Sequence, residues 1–193
     1  MARRLGVEVA LLTFDAARKS FAAMVEGEAD LCFLAIDPAR AAEVAFTAPY
    51  VSIEGVFVVP DQSRVRTVED VDVAGTRIGV KEGSAYDLHL TRTIERAEII
   101  RGAEGVDVYV DGGLEVGAGI RQPVEEFLGR TPGQRVVEPA FMQIQHAVGV
   151  PVSRRAESIA WLTETVEDLR AGGFVAASLS ASGQPEALVA ASR

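Results

Sequence analysis

The stretch from Ala29 to Val59, ADLCFLAIDPARAAEVAFTAPYVSIEGVFVV, constrains this chain more than any other. A short apolar run, Leu31 to Ile36, reads as a buried strand and breaks at the polar corner Asp37-Pro38-Ala39-Arg40. Asp37 suits a helix N-cap and Pro38 the first helical position, so a brief helical turn is predicted where the strand ends. A loop, FTAPY, follows, and a second apolar strand runs to Pro60. The corner therefore sets backbone N–H groups and the Arg40 guanidinium at a strand's carboxyl end. Open α/β sheets bind ligands at such ends, and Arg is suited to a bidentate grip on a carboxylate.

Composition narrows the class. At 193 residues the chain can bury a real core in one domain or two small lobes. A net charge of −9 with no basic stripe argues against a nucleic-acid surface. No apolar run approaches the ~18 residues of a membrane span, so no direct membrane insertion is expected. The start, MARRLGVEV, has two arginines but neither an h-region nor a small-residue cleavage site, so it does not read as a signal peptide. The single cysteine, Cys32, falls in the apolar strand, where a buried, inert thiol is expected.

Before the central stretch, residues 1 to 6 read as a helix end with Gly6 as its cap, and Val7 to Leu12 alternates weakly, as a strand would. Asp15 is placed to cap a helix whose apolar stripe is Phe21, Met24 and Val25. After it, the polar run PDQSRVRT marks a boundary. Val68 to Ala74 then reads as a short helical turn and Thr76 to Val80 as a strand. Gly83-Ser84 opens a helix carrying Tyr86, Leu90 and Ile94. An internal echo follows: Val25-Glu26-Gly27-Glu28-Ala29-Asp30-Leu31 is matched by Val110-Asp111-Gly112-Gly113-Leu114-Glu115-Val116. Each leads into an apolar strand that ends in a Pro-containing corner, the second being Arg121-Gln122-Pro123. Phe141 to Val150 reads as a strand, Ser153 to Arg170 as an amphipathic helix and Phe174 to Ser182 as an Ala-rich one. Trp161 falls off the stripe of the first helix and is expected to pack against a neighbouring lobe or subunit.

No catalytic constellation stands out. His89 and His146 lack Cys or carboxylate partners at metal spacing and read as structural, and Glu115 and Asp111 read as solvated. Neither a nucleophile elbow nor a phosphate or dinucleotide loop is present, so no cofactor and no metal is implied.

The order D-x-x-x-x-x-x-D-P-x-R, F-T-x-P-Y and apolar strand resembles the bacterial extracellular solute-binding proteins of family 3. VAGTRIGVKEGSAYDLHL and the ending LRAGGFVAASL resemble the same family's second-lobe opening and C-terminus. The resemblance implies an α/β fold of the type II periplasmic-binding-protein kind, with two lobes and two crossing hinge strands. Lobe 1 would be 1–59 with 147–193, and lobe 2 would be 60–146. It implies capture of a small acid-bearing ligand, an amino acid or organic anion, for the membrane components of an ABC-type transporter. Phe14 would face the ligand, Asp37 and Arg40 would hold its carboxylate, and Ser84 with the Ala85 and Tyr86 amides would form an anion site. The family's amino-acid receptors carry an Asp near Arg121. Here Arg121 and Gln122 stand instead and are expected to set specificity toward an anion. Periplasmic or extracellular placement follows by resemblance, and cytoplasmic placement stays open because no signal peptide is seen.

Family members begin with a strand and helix before the point where Met1 stands. The first lobe therefore reads as N-terminally truncated: a trimmed form, a misplaced start, or an edge completed by another chain, as in a dimer. Two other readings share the scaffold, a dehydratase-like enzyme and a cytoplasmic ligand-sensing module.

Overall fold

The computed structural model describes residues 1–191. They fall into two compact units, Met1–Ser52 with Gln145–Arg193 and Ile53–Ile144. The chain passes from one unit to the other inside two long strands, β3 (Val51–Pro60) and β7 (Gln134–Pro151).

In the first unit, α1 (Ala2–Leu5) ends at Gly6, whose left-handed φ of 67° closes the turn as predicted. Helix α2 (Ala17–Val25) follows, then β1 (Cys32–Ala35), β2 (Val44–Phe46) and, late in the chain, α6 (Ala156–Ala171) and α7 (Phe174–Ala181). Both β1 and β2 pair antiparallel with the late part of β7, Leu34 opposite Ala147 and Phe46 opposite Gly149. Residues on alternate faces of β7 feed two packed layers. On one, Met24 of α2 is fully buried against Cys32, Leu34 and Val44. On the other, Val148 and Val150 pack against Leu162 and Val166 of α6. A side chain at Gly149 would stand 2.5 Å from Val44 Cγ1, so glycine lets β2 close over the strand.

Two expectations for this unit need correction. Residues 7–14 form no strand: they are exposed, and residues 8–14 make no backbone hydrogen bond. A period-two pattern makes a strand only where a sheet edge is offered to it, and none here is taken up. Asp15 does not cap α2, whose N-cap is Ala16 without a side-chain bond; the carboxylate instead accepts from Lys19 one turn on. Trp161 packs beside Val148 and Leu162 in its own unit and stays half-buried.

The second unit is a mixed sheet in which the early part of β7 lies next to β3, followed by β6 (Val116–Ile120), β4 (Arg77–Lys81) and β5 (Glu98–Gly102). β3 runs antiparallel to β6, while β6, β4 and β5 are parallel. Helices α3 (Ala85–Thr93), α4 (Gly105–Asp111) and α5 (Arg121–Arg130) connect them. The core joins Val56 and Val58 of β3 to Tyr109, Leu114 and Val124. The internal echo is real in structure: α2 and α4 both run out into left-handed glycines, Gly27 and Gly113, before β1 and β6. Val68 to Ala74 makes bends and turns rather than a helix, and Asp72 there accepts the Glu95, Arg96 and Ala97 amides. Among the described residues no helix is long and apolar enough to cross a membrane.

Candidate functional site

In the first unit the corner after β1 is a hydrogen-bonded turn. Asp37 Oδ1 accepts the Ala39 amide at 2.8 Å, and the Asp37 carbonyl accepts the Arg40 and Ala41 amides at 3.0 Å each. The cap predicted for Asp37 forms, although the turn does not grow into a regular helix. It delivers the Arg40 side chain back along β1, where Nη1 donates to the Ala35 carbonyl at 3.0 Å. Asp37 and Arg40 are both buried, at 3% and 4% exposure. Burial lowers the Arg40 guanidinium from its ordinary pKa, and the charge of Asp37 works against that loss. Phe14 stands apart from this turn in sequence, 40% exposed at the end of the unpaired segment.

Three more titratable groups share the unit's interior. Burial pushes the Cys32 thiol up to about 11 and the Tyr50 hydroxyl up to about 12, so neither ionises near neutrality. The inert thiol expected for Cys32 is what the fold provides. His146 lies opposite Ala35 on β7, and burial, then the charge of Arg40, lowers its imidazole from its ordinary value of 6.5. The unfolded chain thus takes up this proton more readily than the folded one, and the His146 contribution is fully present above pH 6.5. Unfolding midpoints in urea should fall between pH 7.5 and pH 5.5, and His146→Gln should reduce that fall. An equal fall in the variant would assign the loss to other groups.

In the second unit Ser84 caps α3, its Oγ accepting the Asp87 amide at 3.0 Å. Asp87 Oδ2 reaches back past the cap to accept the Gly83 amide at 2.8 Å, while the Ser84 amide donates to the Lys81 carbonyl. Arg101 of β5 donates to Asp87 Oδ1 at 3.0 Å and to Thr91 Oγ1 at 2.7 Å. A carboxylate therefore already occupies this helix N-terminus, offset by an arginine. The Ala85 and Tyr86 amides have no protein acceptor among the described residues. Tyr86 is buried below them, its hydroxyl pushed up to about 12 by desolvation. The Ser84-x-x-Asp87 spacing is the signal that could have found Asp87 in the sequence.

Arg121 is the most heavily paired of the candidate site residues. It opens α5, and its guanidinium is held from three directions. Nε donates to Glu54 of β3, Nη1 and Nη2 donate bidentately to Glu138 of β7 at 2.8 Å each, and Glu125 lies 3.5 Å away one turn on. Gln143 adds a hydrogen bond to Glu54 at 3.0 Å. The Glu138 hydrogen bonds come first among the causes that push Arg121 above its ordinary pKa, and Arg121 in turn lowers Glu138. One cation meets three carboxylates, so the cluster carries an excess of negative charge and does not invite an anion. Gln122 follows half-buried in the first turn of α5. Glu115, read as solvated from sequence, is paired with Arg77, which holds its carboxyl down at about 2. Among the described residues no group of three or more His, Cys, Asp or Glu is placed to hold a metal ion.

Two α/β units joined by two strands, each with a polar corner at a strand's carboxyl end, define a two-lobed binding-protein architecture. Residues 1–181 match the bacterial extracellular solute-binding proteins, family 3, and the chain belongs to that family. Its role is solute binding, and its fold is that of type II periplasmic binding proteins. Among solved structures it is similar to a protein of Wolinella succinogenes, described as a binding component of an ABC transporter and complexed with lysine. That match has 14% identity and a TM-score of 0.77 over 93% of this chain and 80% of the other. An ArgBP mutant from T. maritima matches at 19% identity and TM-score 0.74, covering 93% and 80%. An ancestral arginine-binding protein bound to arginine matches at 18% identity and TM-score 0.75, covering 93% and 82%. No curated protein matches the chain.

Proposed function

We propose that the protein captures a small solute bearing both an acid group and a cationic group, as an amino acid does, and delivers it to the membrane components of an ABC-type transporter. The observation that carries this reading is the pairing of chemistries within a chain of this family. Arg40 at the β1 corner is the donor suited to a carboxylate, with Asp37 setting the turn that aims it. The Glu54, Glu138 and Glu125 carboxylates around Arg121 favour a positive group over a second anion. The Ala85 and Tyr86 amides beside Ser84 offer further donors, and Phe14 and Gln122 supply apolar and polar contact. The lobes are 1–59 with 147–193 and 60–146. The place of work is periplasmic or extracellular, the action is binding without turnover, and a second copy of the chain is a partner of the first lobe.

Calorimetric titration with a panel of amino acids, dicarboxylates and monocarboxylates tests this. Amino acids should bind, monocarboxylates lacking an ammonium should not, and Arg40→Lys should weaken binding at least tenfold because a point charge cannot reproduce the planar fork. Tight binding of dicarboxylates with none by amino acids would sink the charge assignment. Binding of everything equally by wild type and Arg40→Lys would sink the site.

A further inference from the structure

We propose that Glu54 is the positioning residue through which solute capture at the start of α5 acts on both strands that join the two units. The inference rests on the solute-receptor reading for the event that drives it, while the connections themselves lie within the second unit.

The chain enters the second unit between Ser52 and Ile53 on β3 and leaves it between Ile144 and Gln145 on β7. Glu54 is the second residue after the first crossing, and Gln143 is the second residue before the other. Glu54 Oε2 accepts from Arg121 Nε, and its Oε1 accepts from Gln143 Nε2 at 3.0 Å. One carboxylate thus ties both crossing strands to the first residue of α5. Arg121 repeats the tie from its own side, because Nη1 and Nη2 grip Glu138 on β7 while Nε holds Glu54 on β3. The two strands are neighbours in the sheet, so these bonds run across one ladder close to where both strands leave the unit.

Charge makes Glu54 a relay as well as a brace. Glu54, Glu125 and Glu138 meet one guanidinium, so a surplus of negative charge stands around Arg121. A solute's cationic group drawn to that surplus competes with Arg121 for the same carboxylates. The Glu54 side chain is 36% exposed and open to this competition. Its two oxygens have separate partners, so it cannot turn toward a new cation without re-aiming the bond to Gln143. Occupancy beside Arg121 is thereby felt on β7 next to its crossing. Coupling of this kind is reciprocal: the arrangement of the crossing strands that frees Glu54 also favours the solute. A glutamine at position 54 would keep the shape but carry one acceptor oxygen and no charge, which breaks the relay.

Amide hydrogen exchange tests the proposal, first without solute. Glu54→Gln and Gln143→Leu should each speed exchange by about threefold or more at residues 53–55 and at residues 142–145, and leave α3 unchanged. Both side chains reach solvent, so both variants should fold, which circular dichroism checks; either one alone suffices for the ligand-free comparison. With saturating L-lysine, L-arginine or L-glutamine, exchange in the wild type should slow at both segments. In Gln143→Leu the slowing should persist at 53–55 and vanish at 142–145, and in Glu54→Gln it should vanish at both. A residue that only braces the strands would leave the solute-induced slowing in place. Slowing at 142–145 in both variants therefore overturns the proposal, as does ligand-free exchange that neither variant alters. Calorimetry on the wild type is read separately: no binding of any of the three amino acids overturns the receptor reading, whereas the ligand-free exchange decides whether Glu54 links the strands.

Discussion

Gly105→Ala is expected to destabilise the second unit by about 3 kcal/mol, at the upper end of what overpacking by one methyl group costs. Gly105 is the first residue of α4, and a Cβ there would lie 2.4 Å from the Ala118 carbonyl oxygen and 3.2 Å from the Lys81 amide and the Val80 Cα. These are backbone atoms of β6 and β4, which cannot turn aside as a flexible side chain would. Gly79 and Gly117 on the same strands complete the close approach. Side chains there would stand 2.9 Å from the Gly105 carbonyl and 2.8 Å from Val58 Cγ1. Tyr109 of α4 fills the space the three glycines leave and is 4% exposed. Gly129→Ala is the control: it sits inside α5 with nothing within 4 Å, and alanine should stabilise it by about 0.5–1 kcal/mol through helix propensity. Urea unfolding of the two variants should therefore move in opposite directions. A Gly105→Ala protein as stable as Gly129→Ala would mean that α4 does not press on the sheet as described.

The glycines show what a sequence withholds. Gly112-Gly113 and Gly117 to Gly119 lack any nucleotide-binding pattern, which was legible, but their use was not. Close helix-on-sheet packing is a property of residues far apart in the chain, and a glycine carries no side chain to announce it. Local rules did better. Gly6, Ser84 and Pro60 each terminate or begin an element by their own local chemistry, and each stands where the sequence places it.

Asp15 failed because Lys19, four residues on, competes for the same carboxylate, and a cap read from one residue cannot weigh a rival. The partners of Arg121 were hidden for a longer-range reason. Glu54 and Glu138 lie 67 and 17 positions away, on β3 and β7, and only the sheet order brings them to the start of α5. The acid missing beside Arg121 in the linear sequence is thus supplied from other strands. The corner at Asp37 and Arg40 was legible because strand, cap and cation fall within a few consecutive residues.

That corner gives the second large effect. Arg40→Leu should cost the first unit about 3 kcal/mol, because breaking a buried charge contact strands the partner left behind. The Ala35 carbonyl would lose its donor, and the Asp37 carboxylate, 3% exposed, would lose the nearby positive charge. Asp37→Asn added to Arg40→Leu removes the stranded charge and should recover at least half of the loss, so the two changes are not additive. A third residue reports on the same field. Arg40 is one of the two causes lowering His146, so the His146 titration followed by NMR should move upward toward 6.5 in Arg40→Leu while burial keeps it below. The loss of stability that His146 adds on acidification then shrinks, since the folded-state value approaches the unfolded one and the interval between them narrows. An unchanged His146 titration would show that the Arg40 charge is spent elsewhere. In that case the loss of stability would belong to the Ala35 and Asp37 contacts alone.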